Sequence, residues 1–598
     1  MPERRHEMPF GAEFRPDGTR FSLWAPGARS VELVLGDEVH ALRPDDEGFH
    51  TLTNAAAPGD RYSYRIDGEH LVPDPASRHQ PDGVHGPSAV VDPAFDPASE
   101  WQGGRDTEQG TGWRGRPWEE AVLYELHVGT FTPAGTFAGV RDRLDYLAGL
   151  GVTGIELMPL SAFPGSRNWG YDGVLPYAPD GSYGTPEELK ELVRAAHERG
   201  LMVLLDVVYN HFGPEGNYLH LYAPQFFTDR YETPWGAAID FASGPVREFF
   251  IHNALYWLEE YDLDGLRLDA VQEIRDGSEP HFLDELADRV RTSPGRERRR
   301  HLVLENDDNR ATYLREGLYE AQWNDDLHHA LHVVATGESG GYYEEYAQRP
   351  VENLGQALAE GFVYQGEESS YRDGAARGEP SGHLSPLRFV SFVQNHDQVG
   401  NRALGDRLTS LASPAAARAV CAIYLLAPAA PMLFMGEEWA AAEPFPFFCD
   451  FGEELSAAVT QGRREEFARF PEFSGTGTLE RIPDPNDPET FQSAVLEGPV
   501  ENEWLALYRE LLKLRHEQEI LRLQGIPGGA GEYHVIGERV LRVEWLLGDG
   551  SRLTLLANLG DGAVEEPEAP AVAPLYCTGE PGAAWSVAWY LQEEPGGE

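Results

Sequence analysis

From residue 118 to about residue 435, short apolar segments alternate with segments of helical pattern, and this alternation constrains the fold most strongly. Eight of the apolar segments have the length and composition of β-strands. They are 122–128, 154–158, 201–208, 265–271, 301–305, 321–324, 389–393 and 431–435. Strands that alternate with helices form parallel sheets, so eight such units predict an α/β fold, a (β/α)8 TIM barrel. A doubly wound sheet is the alternative, but no glycine-rich phosphate loop follows any of these strands.

Helix signals stand between the predicted strands. Thr185 can cap a helix, Pro186 suits its first turn, and Glu188 completes a capping box. This signature predicts a helix that begins directly after Thr185. The remaining helical patterns lie at 137–150, 246–260 and 502–517.

The regions on either side of the barrel have the pattern of antiparallel β-structure. Segments 20–24 and 30–35 alternate apolar and polar residues, as do 540–545 and 553–557, and turn-forming residues separate them. The predicted domains are an N-terminal β-sandwich at 1–92, a linker at 93–117, the barrel at 118–523 and a small antiparallel β domain at 524–598.

The charge balance restricts the class of partner. The chain has 48 basic and 99 acidic residues, a formal net charge of −51. A nucleic acid or an anionic membrane surface needs clustered cations, so neither is an expected partner. A neutral or cationic substrate fits better. The start of the chain lacks the apolar core of a secretory signal, and no apolar run reaches membrane-spanning length, so we expect a cytoplasmic protein.

Polar clusters follow four of the predicted strands. They are Asp206–His211, Arg267–Asp269, Glu305–Asn306 and Gln394–Asp397. The active site of a (β/α)8 barrel lies at the carboxyl ends of its strands, where these clusters would meet. An aspartate at one strand end is often a helix cap, but four such ends in one barrel, two with a histidine beside the acid, are hard to explain by capping.

Two of the carboxyl groups have surroundings that predict opposite pKa shifts. Arg267 and Asp269 point to the same face of a strand, so we expect the guanidinium to lower the pKa of Asp269 and make it an ionised nucleophile. Glu305 ends an apolar strand, and apolar surroundings raise the pKa of a carboxyl group and suit a general acid. One lowered and one raised carboxyl is the pairing used in glycoside hydrolysis.

The four clusters resemble, in order and position, the four short sequence regions of the α-amylase family of glycoside hydrolases (family 13). The resemblance covers nearly the whole chain. It implies a retaining double displacement with Asp269 as the nucleophile, Glu305 as the acid and base, and Asp397 as the third carboxylate. It implies further substrate-binding residues around the −1 sugar, namely Arg267, His211, His396, Tyr171 and Asp172. No cofactor is implied.

Within this family, a β domain before the barrel is similar to branching enzymes, isoamylase-type debranching enzymes and hydrolases that release trehalose. The segments 304–307, 322–332 and 436–450 resemble the trehalose-releasing group. The implied substrates are maltooligosyltrehalose and other α-glucan oligosaccharides, with trehalose as a product and maltooligosyltrehalose synthase as a pathway partner. Branching or debranching activity is the alternative. A silent carbohydrate-binding scaffold is a weaker one, because all three carboxylates are present.

Residues for the leaving-group side of the cleft are predicted from their position and type. Gln272 and Glu273 follow the nucleophile, and Tyr364 with Gln365 supplies an aromatic ring beside a polar group, although ordinary loop or core roles fit these four residues equally well.

Three further features have competing interpretations. His328, His329 and His332 could suggest a metal site, but we expect polar packing on a strand and its loop, and no required metal. Glu437 and Glu438 are expected to accept supporting hydrogen bonds. The aromatic run 445–448 is either core or a loop over the acceptor sites.

Overall fold

The computed structural model describes residues 8–93, 113–234, 236–293, 298–468, 479–565 and 568–593. Most of the predicted linker, 94–112, lies outside the described residues, as do residues 1–7 of the predicted sandwich and residues 594–598 at the other end.

Eight parallel strands close into a barrel, as predicted. They are Leu123–Leu126, Gly154–Leu157, Met202–Val207, Gly265–Leu268, His301–Leu304, Ala321–Trp323, Phe389–Ser391 and Ala430–Phe434. The first strand pairs with the last, with Leu123 opposite Met432, and this pairing closes the barrel. Each predicted segment overlaps one of the observed strands, so the barrel prediction is confirmed and the doubly wound alternative is excluded.

Helices surround the barrel. The longer ones are Leu144–Leu150, Pro186–Glu198, Gly244–Glu260, Phe282–Thr292, Asp325–Thr336, Pro350–Glu360, Pro414–Leu426, Glu453–Phe467, Pro488–Ser493 and Glu503–Leu514. Short helices are Val128–Phe131, Phe137–Arg141, Leu219–Tyr222, Glu344–Ala347, His396–Gly400, Leu408–Leu411 and Ile520–Leu523. The predicted capping box is present: the Thr185 hydroxyl accepts a hydrogen bond from Glu188 N, and the Glu188 carboxylate accepts one from Thr185 N.

The interior of the barrel changes from apolar to charged along the strand direction. An apolar layer is formed by Leu123, Met202, Leu204, Val303, Trp323, Val390 and Met432, all buried. Two residues further along the same strands, Glu125 follows Leu123 and Asp206 follows Leu204, so their side chains point into the same interior. The carboxyl ends of the strands therefore carry the polar side chains of the site.

The N-terminal domain consists of two antiparallel sheets. One contains Gly11–Arg15, Gly18–Trp24, Phe49–Asn54 and Arg43–Pro44, and the other contains Glu38–Ala41, Val31–Leu35, Arg61–Ile66, His70–Val72 and Ser88–Ala89. The rings of Phe21 and Tyr62 meet between the sheets at 5.0 Å. Trp24 packs edge-on against Phe226 at 5.4 Å, and this contact joins the sandwich to a loop of the barrel domain.

A five-stranded antiparallel sheet follows the barrel. Its order is Gly531–Ile536, Val540–Leu546, Arg552–Asn558, Val587–Gln592 and Tyr576–Cys577. Two buried tryptophans attach it to barrel helices: the indole of Trp545 donates to the carbonyl of Leu358, and that of Trp589 donates to the carbonyl of Ala422. Within the described ranges, no helix has the length and apolarity needed to span a membrane.

Candidate active site

Arg267 organises the carboxyl ends of the barrel strands. It lies on the fourth strand, directly opposite Asp206 of the third, and its side chain is fully buried. Its Nη1 donates to Asp206 Oδ2 at 2.5 Å and to Asp269 Oδ1 at 3.0 Å, and its Nη2 donates to Glu305 Oε2 at 2.7 Å. The ring of Trp323 lies 4.0 Å from the guanidinium carbon. One cation thus serves three carboxylates from three adjacent strands.

Two of the three predicted catalytic carboxyls, Asp269 and Glu305, are each fixed by further donors. Asn210 Nδ2 donates to Asp269 Oδ2 and to the backbone carbonyl of Asp269, both at 2.8 Å. The backbone N–H of Ala270 donates to Glu305 Oε2 at 2.9 Å. Ala270 has a φ of +40°, a left-handed conformation that non-glycine residues rarely adopt. The chain therefore bends sharply after Asp269 and directs an N–H at the neighbouring glutamate.

Burial governs the acidity of these groups. It raises the pKa of Glu305; Arg267 opposes the shift and Asp269 adds to it, which is the direction predicted from the sequence. The pKa of Asp269 is also raised, because burial outweighs the opposing effect of Arg267, and Asp206 raises it further. The expectation of a lowered pKa for Asp269 is therefore wrong: the sequence places Arg267 beside the aspartate but does not show that the guanidinium is shared.

His396 is held by a glutamate from the first strand. Glu125 accepts hydrogen bonds from the backbone N–H of His396, at 2.9 Å, and from its Nδ1. Burial lowers the pKa of His396, but the contact with Glu125 outweighs this effect and the pKa lies above its usual value. The ring of Tyr171 stacks on the imidazole at a centroid distance of 4.9 Å, and its hydroxyl donates to Asp206.

His211 and Asp172 lie on the neighbouring loops. Nε2 of His211 lies 3.0 Å from the carbonyl of Tyr171, and Nδ1 contacts the side chain of Asn210. Burial lowers the pKa of His211 to about 4, so the imidazole is neutral at pH 7. Asp172 accepts a hydrogen bond from Asn168 at 2.7 Å. The −1 candidates are thus linked through Asn210 and Tyr171 to the carboxylate cluster.

The third predicted carboxylate, Asp397, lies in the first turn of the helix His396–Gly400. Asn401 Nδ2 donates to its Oδ1 at 2.6 Å. Burial raises its pKa, His396 opposes this shift, and Glu305 adds to it. Glu305 follows the fifth strand and Asp397 follows the seventh, so both carboxyls lie at the carboxyl-end rim of the barrel.

The four leaving-group candidates lie in two separate segments of the chain. Gln272 Oε1 accepts from the backbone N–H of Asp307, on the loop that carries Glu305. Glu273 pairs with Arg275 at 3.2 Å.

Tyr364 and Gln365 lie in the loop that follows the helix Pro350–Glu360, and the backbone N–H of Tyr364 donates to Asp326 at 3.0 Å. The Tyr364 ring lies 5.1 Å from the guanidinium carbon of Arg377. The amide of Gln365 donates to Glu360, the last residue of the preceding helix, and accepts from the backbone N–H of Ser381. A substrate contact remains a prediction for all four candidates.

The histidine cluster lies on a helix, not on the strand and loop that we expected. His328, His329 and His332 belong to Asp325–Thr336, which begins two residues after the sixth strand. His328 Nδ1 contacts the carbonyl of Val393, and His332 pairs with Glu338 at 2.7 Å. Among the described residues, no group of three or more His, Cys, Asp or Glu side chains is placed to hold a metal ion.

The supporting role predicted for the two glutamates after the eighth strand is confirmed. Glu437 accepts from the hydroxyls of Tyr424 and Tyr508, and Glu438 accepts from those of Tyr124 and Tyr146. Burial raises the pKa of each of the two carboxyls to about 7.

The aromatic run 445–448 contributes mainly to the core. Phe445 and Phe448 are fully buried, and Phe445 stacks on Trp169 at 5.4 Å.

Two acids at the strand ends, Glu125 and Asp325, are not among the residues predicted from the sequence. Glu125 could have been found from the strand period, because it follows the inward-facing Leu123 by two residues. Asp325 directly follows the end of the sixth strand and its cap Asn324, but a first-turn aspartate is so common in helices that its type alone carries no signal.

Comparison with known proteins agrees with this geometry. The model of the alpha amylase catalytic domain matches residues 105–224, the carbohydrate-binding module 48 (isoamylase N-terminal domain) matches 9–92, and a domain of unknown function, DUF3459, matches 528–589. A crystal structure from Salmonella typhimurium, provisionally named an alpha amylase, superposes with a TM-score of 0.91 at 43% identity over 98% of this chain and 99% of that one. A pullulanase from Paenibacillus barengoltzii, 21% identical over 98% of this chain and 94% of that one, shares the fold with a TM-score of 0.67.

The fold and the site define a glycoside hydrolase of the α-amylase family. Among curated relatives, the malto-oligosyltrehalose trehalohydrolase of Deinococcus radiodurans is 42% identical over 93% of this chain and 90% of its own. That of Saccharolobus solfataricus is 41% identical over 85% of this chain and 87% of its own. The chain belongs to the malto-oligosyltrehalose trehalohydrolase family, and the resemblance seen in the sequence is confirmed.

Proposed function

We propose that this protein hydrolyses the α-1,4 bond next to the terminal trehalose of maltooligosyltrehalose and releases trehalose. The observation that carries the proposal is the joint anchoring of Asp269 and Glu305 on one guanidinium, in a chain of this family. Carboxyls that share one guanidinium lie close together, which favours the spacing of about 5–5.5 Å used by retaining enzymes over the wider spacing of inverting ones.

In the first step, the Asp269 carboxylate attacks the anomeric carbon of the −1 glucose while Glu305 gives its proton to the glycosidic oxygen. The carbon–oxygen bond breaks and trehalose leaves. In the second step, Glu305 takes a proton from water, which attacks the same carbon and frees Asp269. The raised pKa of Glu305 supports its role as the acid. Arg267 stabilises the negative charge that returns to each carboxylate.

The −1 glucose is held by the side chains around these two carboxyls. Asp397 is suited to accept hydrogen bonds from the 2- and 3-hydroxyls. His396 donates from Nδ1 to Glu125, and its raised pKa favours the protonated ring, in which Nε2 is also a donor. His211, Tyr171 and Asp172 complete this wall. Gln272 is the best supported of the four leaving-group candidates, because it contacts the loop of Glu305.

The substrate class is that of α-glucan oligosaccharides. We place the reaction after that of maltooligosyltrehalose synthase, which makes the terminal trehalose unit, and in the cytoplasm. We also propose the domain limits 1–92, 118–523 and 524–598, the first of which agrees with the module match at 9–92.

A branching activity is the second candidate. A 1,4-alpha-glucan branching enzyme from Bacillus caldolyticus is 34% identical to this chain, but over 42% of it. The match covers too little of the chain to displace the trehalose-releasing relatives.

Product analysis by chromatography tests the proposal. Purified protein is incubated with maltopentaosyl-trehalose and, separately, with maltoheptaose. We expect trehalose and maltopentaose from the first substrate and little change in the second. Chain transfer or debranching on plain glucans without release of trehalose would reject the proposal in favour of a branching or debranching enzyme.

A further inference from the structure

Asp325 is an acid of the cleft to which the mechanism above gives no role. It is the first residue of the helix Asp325–Thr336 and follows the sixth strand through its cap Asn324. The sixth strand pairs with the fifth, which ends before Glu305, and with the seventh, which precedes Asp397. Asp325 therefore lies at the barrel rim between the general acid and the third carboxylate.

The contacts of Asp325 fix one of its two oxygens. Gln398 Nε2, next to Asp397 in sequence, donates to Oδ1 at 3.1 Å. In the part of the chain that the structure describes, this is the one hydrogen bond of the Asp325 side chain. Its Oδ2 is therefore available to a ligand. Because Asp325 lies between the ends of the fifth and seventh strands, it is near both Glu305 and Asp397, and each of these acids raises its pKa.

The chemistry of an α-1,4 linkage shows which hydroxyl belongs at this position. Glu305 protonates the glycosidic oxygen, which is O4 of the +1 glucose, and Asp397 holds O2 and O3 of the −1 glucose. In such a linkage, O3 of the +1 glucose is the neighbour of O4 and lies beside O2 of the −1 glucose. A group between Glu305 and Asp397 therefore faces O3 of the leaving sugar.

We propose that Asp325 is a specificity-determining residue that binds the 3-hydroxyl of the +1 glucose, the first sugar of the departing trehalose. The proposal rests on the proposed function for the identity of that sugar. Burial, Glu305 and Asp397 together raise the pKa of Asp325 well above its usual value. Asp325 therefore holds its proton over a wider pH range than a free aspartate, and can donate to a sugar hydroxyl as well as accept from it.

The test compares two substrates that differ at the +1 site. Maltopentaosyl-trehalose has a sugar there. α-Maltotriosyl fluoride has none, because its leaving group is fluoride, which departs when Asp269 attacks C1 and needs no proton from Glu305. For Asp325→Ala we expect kcat/KM to fall about 10- to 100-fold on the first substrate, the loss of one strong hydrogen bond. On the fluoride we expect it to stay within about threefold of the wild type. Trehalose, added as a competitive inhibitor, should bind about tenfold more weakly.

Two controls separate this role from a structural one. Asp288→Ala removes an exposed aspartate from the outer helix Phe282–Thr292 and should change neither rate. Asp325→Asn keeps a donor and an acceptor and should recover most of the loss on maltopentaosyl-trehalose. If the alanine variant does not fold, Asp325→Ser provides the same comparison.

Equal losses on both substrates, or an unchanged rate on maltopentaosyl-trehalose, would overturn the assignment of Asp325. Failure of the proposed function gives a different result, since the wild type would then release no trehalose. In that case maltoheptaose, whose +1 glucose has the same 3-hydroxyl, replaces the trehalose substrate. The test of Asp325 is otherwise unchanged.

Discussion

Replacing Glu305 by glutamine should remove catalysis and retain the site. Glu305 Oε2 accepts from Arg267 Nη2 at 2.7 Å and from Ala270 N at 2.9 Å. A glutamine oxygen can accept both bonds, so the amide nitrogen replaces the oxygen that carries the acidic proton. General acid–base catalysis contributes roughly 10²- to 10⁴-fold to each step that uses it. We expect kcat on maltopentaosyl-trehalose to fall by at least about 10³-fold, and the affinity for the substrate to stay within a factor of about three.

The assay combines rates with binding. Trehalose release gives kcat, and calorimetric titration of the inactive variant with maltopentaosyl-trehalose gives the affinity. With α-maltotriosyl fluoride, which needs no acid, the variant should form the glycosyl-enzyme and then stall for lack of a base. Azide, a nucleophile that needs no base, should restore turnover and give an α-glycosyl azide. Glu316→Gln is the matched control, because Glu316 is an exposed glutamate in the segment between the fifth and sixth strands.

Turnover of the Glu305→Gln variant within tenfold of the wild type would refute the assignment of the acid. Loss of substrate binding together with turnover would refute the argument that glutamine keeps both hydrogen bonds. An azide product of inverted configuration would contradict the retaining mechanism.

Two further predictions concern stability. Thr185→Ala removes the capping box of Pro186–Glu198 and should lower the free energy of unfolding by about 1 kcal/mol, as measured by urea denaturation, without affecting trehalose release. Glu438, whose pKa burial raises to about 7, binds its proton more tightly when folded than when unfolded. Its contribution to stability is therefore full below about pH 4.3 and is lost as the pH rises to about 7, by on the order of 3 kcal/mol. Glu438→Gln should flatten this decline, as followed by urea denaturation at a series of pH values.

An unchanged urea midpoint for Thr185→Ala would mean that the cap contributes nothing. For Glu438→Gln, a decline between pH 4.3 and 7 equal to that of the wild type would show that the carboxyl does not titrate in this range. The comparison with the wild type cancels other carboxyls whose pKa burial raises, such as Asp74, with a pKa of about 6.

The barrel could be predicted from local sequence pattern, because each strand is short, apolar and bounded by helix signals. The eight strands, the capping box at Thr185 and the acids at the strand ends all follow from spacing within about ten residues. The helix boundaries were predicted less accurately than the strands. The helix predicted at 246–260 begins at Gly244, and that predicted at 502–517 changes to a π-helix at Arg515.

The electrostatics of the site could not be read in the same way, because they depend on contacts between distant segments. Arg267 stands beside Asp269 in the sequence, yet it also binds Asp206 and Glu305, and its charge is divided among them. Glu125 reaches His396 across 271 positions of the chain. Strand order within a closed barrel sets these pairings, and residue spacing alone does not.

The single guanidinium at the centre of the site also has a consequence for the evolution of the enzyme. Asp206, Asp269 and Glu305 are each a partner of Arg267, so a change at one redistributes the charge felt by the other two. Effects of substitutions at residues that share such a network do not add. Once one of the three acids has changed, the substitutions that the other two positions tolerate are therefore different from before. The four residues are expected to be inherited, or lost, as a unit.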